Sequence, residues 1–175
     1  NYEERLLQII NTVLETDIPL FARLNASTAI KMKRLMAILA QSVPFKPNYS
    51  KLAEIIGIDR QTLSDYITYI EKAGLLKQLY DETRGVRGLG KVTKLYLENT
   101  NLAYVLGKDT PDIGNLRETF FFNQLAVMYE VVASSQSDFQ VDGYTFEIGG
   151  RNKGNAQIQG LDKAYVVKDD IEYGF

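Results

Sequence analysis

The stretch from Ser50 to Leu79, SKLAEIIGIDRQTLSDYITYIEKAGLLKQL, limits the folds open to this chain more than any other segment does. Ser50 is placed to cap a helix whose apolar side is Leu52, Ile55 and Ile56, and Gly57 supplies the left-handed or close-packed position that ends it. Ile58 fills the turn, and Asp59 caps a second helix with Leu63, Ile67 and Ile70 at the spacing of a buried stripe. Ala73-Gly74 stops that helix and Leu75 to Tyr80 reads as a strand. Two short helices across a tight turn, then a strand, predict a winged helix-turn-helix.

The flanking segments extend this reading. An amphipathic helix is expected from about Glu3 to Glu15, ended by Asp17, Ile18 and Pro19. Asn25 to Thr28 offer caps for a helix with Met32, Leu35, Met36 and Leu39 inside, and Pro44 and Pro47 break the chain beyond it. Val92 to Leu97 is the returning strand of the wing. The basic loop before it contains Gly85, four residues, then Gly90-Lys91, which is a phosphate-binding loop except that Val92 stands where a hydroxyl is needed. Because strand rather than helix character follows, nucleotide binding here is not expected.

Further on, a short helix is expected around Leu102 to Leu106. Asn115 and Glu118 have capping-box spacing for a long helix from Leu116 to about Val132, with Phe120, Phe121, Leu125, Met128 and Val132 as its apolar face. A hairpin turning at Asp142-Gly143, a short helix near Ala156 to Gly160 and a strand from Ala164 to Val167 complete the chain.

Chemistry is narrowed by what is missing. The 175 residues include neither cysteine nor histidine, which excludes Ser-His-Asp and Cys-His catalysis, disulfides and zinc-thiolate sites. Carboxylates with magnesium-like ions remain open. The net charge of -2 conceals 12 Lys/Arg against 6 Asp/Glu from Ala26 to Lys94, and 8 against 16 elsewhere. A cationic segment beside an acidic one is the footprint of a polyanion binder. On the second helix Arg60, Gln61, Ser64 and Thr68 are expected to face duplex DNA, with Arg84, Arg87, Lys91 and Lys94 of the wing on phosphates. No apolar run is long enough for a membrane helix, so no membrane is expected as a partner and cytoplasm is the expected location.

Three carboxylates form the other constellation: Glu118 on a helix, Asp138 at the head of a strand and Glu147 on the next strand. Asp138 and Glu147 side by side could hold Mg2+ against a scissile phosphate, as in metal-dependent nucleases. That chemistry wants a lysine two residues after the second acid, where this chain has Gly149; Arg151 and Lys153 lie beyond a Gly-Gly kink.

The runs FKPNYSKLAEIIGIDRQTLSDYITYIEKAGLL, KLYLENTNLAYVL, IGNLRETFFFNQL and YTFEIGGRNKGNAQI together resemble the C-terminal portion of bacterial AAA-type ATPases. Those proteins join an N-terminal P-loop ATPase domain to a winged helix and a domain of unknown function related to the PD-(D/E)XK nuclease fold. The resemblance implies an α+β chain: a linker helix over 1–25, a winged helix-turn-helix over 26–97, and over 98–175 a degenerate restriction-endonuclease-like α/β domain cut short at its C-terminus. It implies that Glu118 matches the first-helix acid, Asp138 the PD aspartate and Glu147 the acid of E-x-K, with Gly149 departing from the lysine. ATP would then belong to an ATPase domain preceding Asn1, a partner that the resemblance implies; the abrupt start without methionine is what a fragment of a longer protein would show. The expected function is DNA binding and regulation with an inactive nuclease-like site; a metal-dependent nuclease and a module docking the ATPase domain are the alternatives.

Overall fold

In this computed structural model, residues 1–82, 90–107 and 109–169 are described. The fold is α+β. Contacts divide it into unit 1, Asn1–Gln78 with Leu95–Pro111, and unit 2, Leu79–Lys94 with Asp112–Phe175. The N-terminal helix and the helix after the hairpin therefore belong to the same unit as the helix pair, and the far half of the hairpin belongs with the C-terminal segment.

Unit 1 begins with α1 (Tyr2–Thr12), capped by Asn1 and Glu4 in a reciprocal capping box. Pro19 does not end the helical path as the sequence predicts. It lies in the first turn of α2 (Ile18–Ala22), where a missing N–H costs nothing, and a π-helical turn over Val13–Asp17 joins the two helices. The path stops at Arg23, in the left-handed region. Asn25 then caps α3 (Ala26–Ser42) by accepting from the Thr28 amide, and Met32, Leu35, Met36 and Leu39 are buried as the periodicity predicts.

The helix pair follows. α4 (Tyr49–Ile56) starts from Asn48, whose side chain accepts from the Lys51 amide, so the cap lies two residues before Ser50. Its buried face is Leu52, Ala53 and Ile56, while Ile55 points to solvent. Gly57 takes φ 75° and closes the helix. Asp59 caps α5 (Arg60–Lys72) through the Thr62 amide at 2.9 Å, and Leu63, Ile67 and Ile70 are fully buried. β1 (Leu76–Asp81) and β2 (Val92–Leu97) come next, and a lone antiparallel bridge pairs Phe45 with Leu95. Lys91 and Val92 lead straight into strand, so no helix opens at Gly90-Lys91. α6 (Asn101–Leu106) completes unit 1, and its Asn101 donates to the Tyr2 hydroxyl.

Unit 2 contains α7 (Ile113–Leu125), β3 (Val132–Ala133), β4 (Phe139–Val141), β5 (Tyr144–Ile148) and β6 (Ala164–Val167). Asp112, not Asn115, caps α7, so the helix starts three residues early and ends well before Val132. Val132 instead pairs with Tyr80 in parallel and with Gln140 antiparallel, a non-local choice that overrides helical patterning. The buried face of α7 is Thr119, Phe122 and Asn123, while Phe120 and, beyond the helix, Met128 are exposed. Three consecutive phenylalanines make every face of the helix read as apolar, so periodicity takes in exposed Phe120 and omits buried Phe122, while Phe121 of the expected stripe does pack against Phe139 and Phe146. Phe122 stacks on fully buried Phe139 at 5.6 Å between ring centroids.

The strand order is β2-β1-β3-β4-β5-β6, with β5 and β6 parallel across a crossover containing a 3-10 turn at Ala156–Ile158. Asp142 and Gly143, at φ 48° and 79°, form the two-residue turn between β4 and β5.

Candidate functional site

A two-residue turn fixes register, and the pairs Val141 with Tyr144, Gln140 with Thr145 and Phe139 with Phe146 put Asp138 opposite Glu147 in the next position. Asp138 Oδ2 accepts the Ile148 amide at 2.8 Å. Glu147, only 2% exposed, has both oxygens engaged: Oε2 accepts the Ser137 hydroxyl at 2.6 Å and Oε1 is ion-paired with Lys153. Ser137 Oγ also lies 2.9 Å from the Phe146 carbonyl.

The third carboxylate comes from α7, which packs against β5. Glu118 does not complete a capping box. Its Oε1 takes the Lys94 ammonium at 2.7 Å, and the same ammonium lies 3.7 Å from Asp138 Oδ1. Lys94 is the third residue of β2, so the hairpin delivers a cation to two acids from separate elements. Burial pushes the Asp138 carboxyl above its ordinary value, and the negative charges of Glu118 and Glu147 push it further; the Ile148 N–H and Lys94 pull the other way.

A lysine is therefore present beside Glu147, although not in the position the E-x-K pattern requires. A turn in which the Lys153 amide donates to the Gly150 carbonyl brings Lys153 back over Gly149. A Cβ on Gly149 would overlap the Cβ and Cγ of Lys153, so the absent side chain and the returning one occupy the same space. Lys153 Nζ also donates to Gln157 Oε1 at 2.8 Å.

This donor set does not fit a divalent ion shared by Asp138 and Glu147. Mg2+ requires near-octahedral oxygen ligands and keeps several waters, whereas Glu147 is buried with both oxygens in other bonds. Among the described residues, no group of three or more acids is arranged to hold a metal.

The residues expected on DNA are placed as follows. Arg60 and Gln61 are exposed on the first turn of α5, with Gln61 Nε2 donating to Asp65 at 3.1 Å. Ser64 and Thr68 are partly exposed, and the Thr68 hydroxyl donates back to the Ser64 carbonyl at 2.9 Å. Lys91 is exposed, and its amide donates to Asp81. Arg84 and Arg87 lie outside the described residues. Lys94 faces the acids. The charge contrast along the sequence also changes when counted by unit: unit 1 has 11 Lys/Arg against 10 Asp/Glu and unit 2 has 9 against 12.

Ser137 carried no signal in the sequence, since one serine in a serine-rich loop has no pattern. Lys153 could have been found by asking which lysine can return over Gly149. Among the described residues no helix is long and apolar enough to cross a membrane. No curated protein and no solved structure matches the chain. Residues 1–112, which include all of unit 1 and end where α7 begins, match the family model described as Domain of unknown function (DUF8612), and the chain belongs to that family.

Proposed function

We propose that this chain is a DNA-binding regulatory region, a winged helix followed by a nuclease-like domain that does not cleave. The observation that supports the first part is the order of elements in and beside unit 1: α3, the isolated Phe45 bridge, α4, the left-handed Gly57 turn, α5, then the β1–β2 hairpin. In that arrangement α5 is the helix that enters the major groove, and its exposed Arg60 and Gln61 stand at its N-terminal end, where base edges and phosphates are met. Near-neutral unit 1 supplies little long-range attraction, so affinity rests on a few local phosphate contacts. The partner is duplex DNA, and the resemblance to AAA-type ATPases adds a preceding ATPase domain as the source of conformational work.

The test is duplex binding by fluorescence anisotropy as a function of salt. Each phosphate neutralised contributes about -0.9 to the slope of log K against log salt. Arg60→Ala is expected to weaken binding across sequences and reduce the slope by about 1. Lys94→Ala is expected to leave the slope unchanged, because its ammonium faces Glu118 and Asp138. A salt-independent affinity, or no loss with Arg60→Ala, would refute DNA binding through α5.

One observation favours a second reading, metal-dependent phosphodiester cleavage: Lys153 places an ammonium on Glu147 in spite of Gly149. The engaged oxygens of Glu147 weigh against it, so cleavage remains the lesser proposal. Magnesium- or manganese-dependent nicking of plasmid DNA that disappears in Asp138→Asn would reverse that order.

A further inference from the structure

We infer that Lys94 is a resident cation, taking the place between Glu118 and Asp138 that a divalent ion would otherwise fill, so that the wild-type chain binds no metal there. The position is built from three separate elements. Asp138 is held in one orientation because its Oδ2 accepts the Ile148 amide, which turns Oδ1 toward Lys94. Glu118 comes from α7, and its Oε1 is the closer of the two contacts at 2.7 Å. The carboxylate side chains are only 17% and 20% exposed, so two like charges share a poorly solvated space and need a counter-charge. Lys94 supplies it.

Lys153 cannot take over this role. Its ammonium is paired with Glu147 and donates to Gln157, and its stem is fixed over Gly149. Lys94 thus lies against Glu118 and Asp138, and Lys153 against Glu147. The Lys94 side chain is itself 35% exposed, so water and small ions reach the pair. A tethered ammonium nevertheless holds an advantage over a free ion, because its association is intramolecular. If that advantage is what excludes the metal, removing the charge should expose a site for a hard cation, with Asp138 Oδ1 and the Glu118 carboxylate as its first ligands.

Manganese(II) chloride is the probe, titrated into the full chain and followed by the electron paramagnetic resonance signal of free Mn2+. Wild type and Lys94→Arg are expected to leave the signal of millimolar Mn2+ unchanged. Lys94→Met is expected to take up one equivalent, with at least a tenfold gain in affinity and a Mn2+-dependent rise in melting temperature. Adding Asp138→Asn to Lys94→Met should abolish both effects. Uptake of one Mn2+ by wild type that Asp138→Asn removes would overturn the inference without recourse to the lysine variants, so the test survives if Lys94→Met fails to fold. A folded Lys94→Met with no gain in Mn2+ affinity would overturn it equally. Duplex binding through α5 is a separate property and can stand or fall independently.

Discussion

Asp59 in unit 1 and Asp138 in unit 2 are the same residue in opposite settings. Asp59 caps α5, where hydrogen bonds from the Thr62 hydroxyl and amide hold its carboxyl below the ordinary 3.8. Asp138 also accepts a backbone amide, yet burial and two neighbouring acids push it above 3.8. In the first case everything that matters lies within three residues. In the second it arrives from β2, α7 and β5. Unit 1 is thus organised by local chemistry around its helix pair, and the acidic face of unit 2 by long-range convergence of charges that need one another.

The largest effects should be common to both units, because both depend on buried apolar side chains. Leu63→Ala and Phe139→Ala remove fully buried groups, and each is expected to cost about 3 kcal/mol or more by urea denaturation. A loss under about 1 kcal/mol at either position would mean that its core is loosely packed.

Ion pairs should separate the units next. Glu147→Gln keeps the shape of a buried side chain but leaves Lys153 without its counter-charge; since Lys153 is 31% exposed, the expected loss is about 2 kcal/mol rather than the full value for a buried pair. Lys33→Met, which breaks an exposed pair with Glu15, should change stability by less than about 0.5 kcal/mol. Equal losses would erase the distinction between a convergent buried cluster and solvated surface charge.

Capping offers a finer test within unit 1. Asn48→Ala is expected to cost about 1 kcal/mol, because Asn48 accepts the Lys51 amide, whereas Ser50→Ala should be close to neutral. The reverse result would place the start of α4 at the residue suggested by the sequence.

The smallest effect is also the most specific. A raised carboxyl pKa means the native state holds more protons than the unfolded chain between 3.8 and the raised value, so the Asp138 contribution to stability falls as pH rises through that window. Asp59 has the opposite sign: its contribution is complete above 3.8 and is lost as pH falls through its depressed value. Urea midpoints measured against pH for Asp138→Asn and Asp59→Asn should lose slopes of opposite sign. Slopes of the same sign would contradict the assigned environments.

What could be read from the sequence follows the same division. Asn25, Gly57 and Asp59 act on neighbours within a few residues, and Asp142-Gly143 sets a register that pairs Asp138 with Glu147 by counting outward from the turn. The caps expected from the sequence, Ser50 and Asn115, lie two and three residues beyond the residues that act, Asn48 and Asp112. The extent of α7 was hidden by its phenylalanines and by β3, a two-residue strand that exists through its partners. Being basic and close to a turn, Lys94 reads in the sequence as a phosphate contact. Its partner Glu118, 24 residues away, comes from another element, and no local pattern joins them.

The central claim is that lysines, rather than a metal, neutralise the acids of unit 2. Carboxyl carbon NMR shifts of Glu118, Asp138 and Glu147, followed while Mg2+ is added to the wild-type chain, address it most directly. The account predicts that all three resonances stay in place up to millimolar Mg2+, while in Lys94→Met those of Glu118 and Asp138 move together. Saturable movement of Asp138 and Glu147 in the wild-type chain would contradict it and restore a metal to the pair.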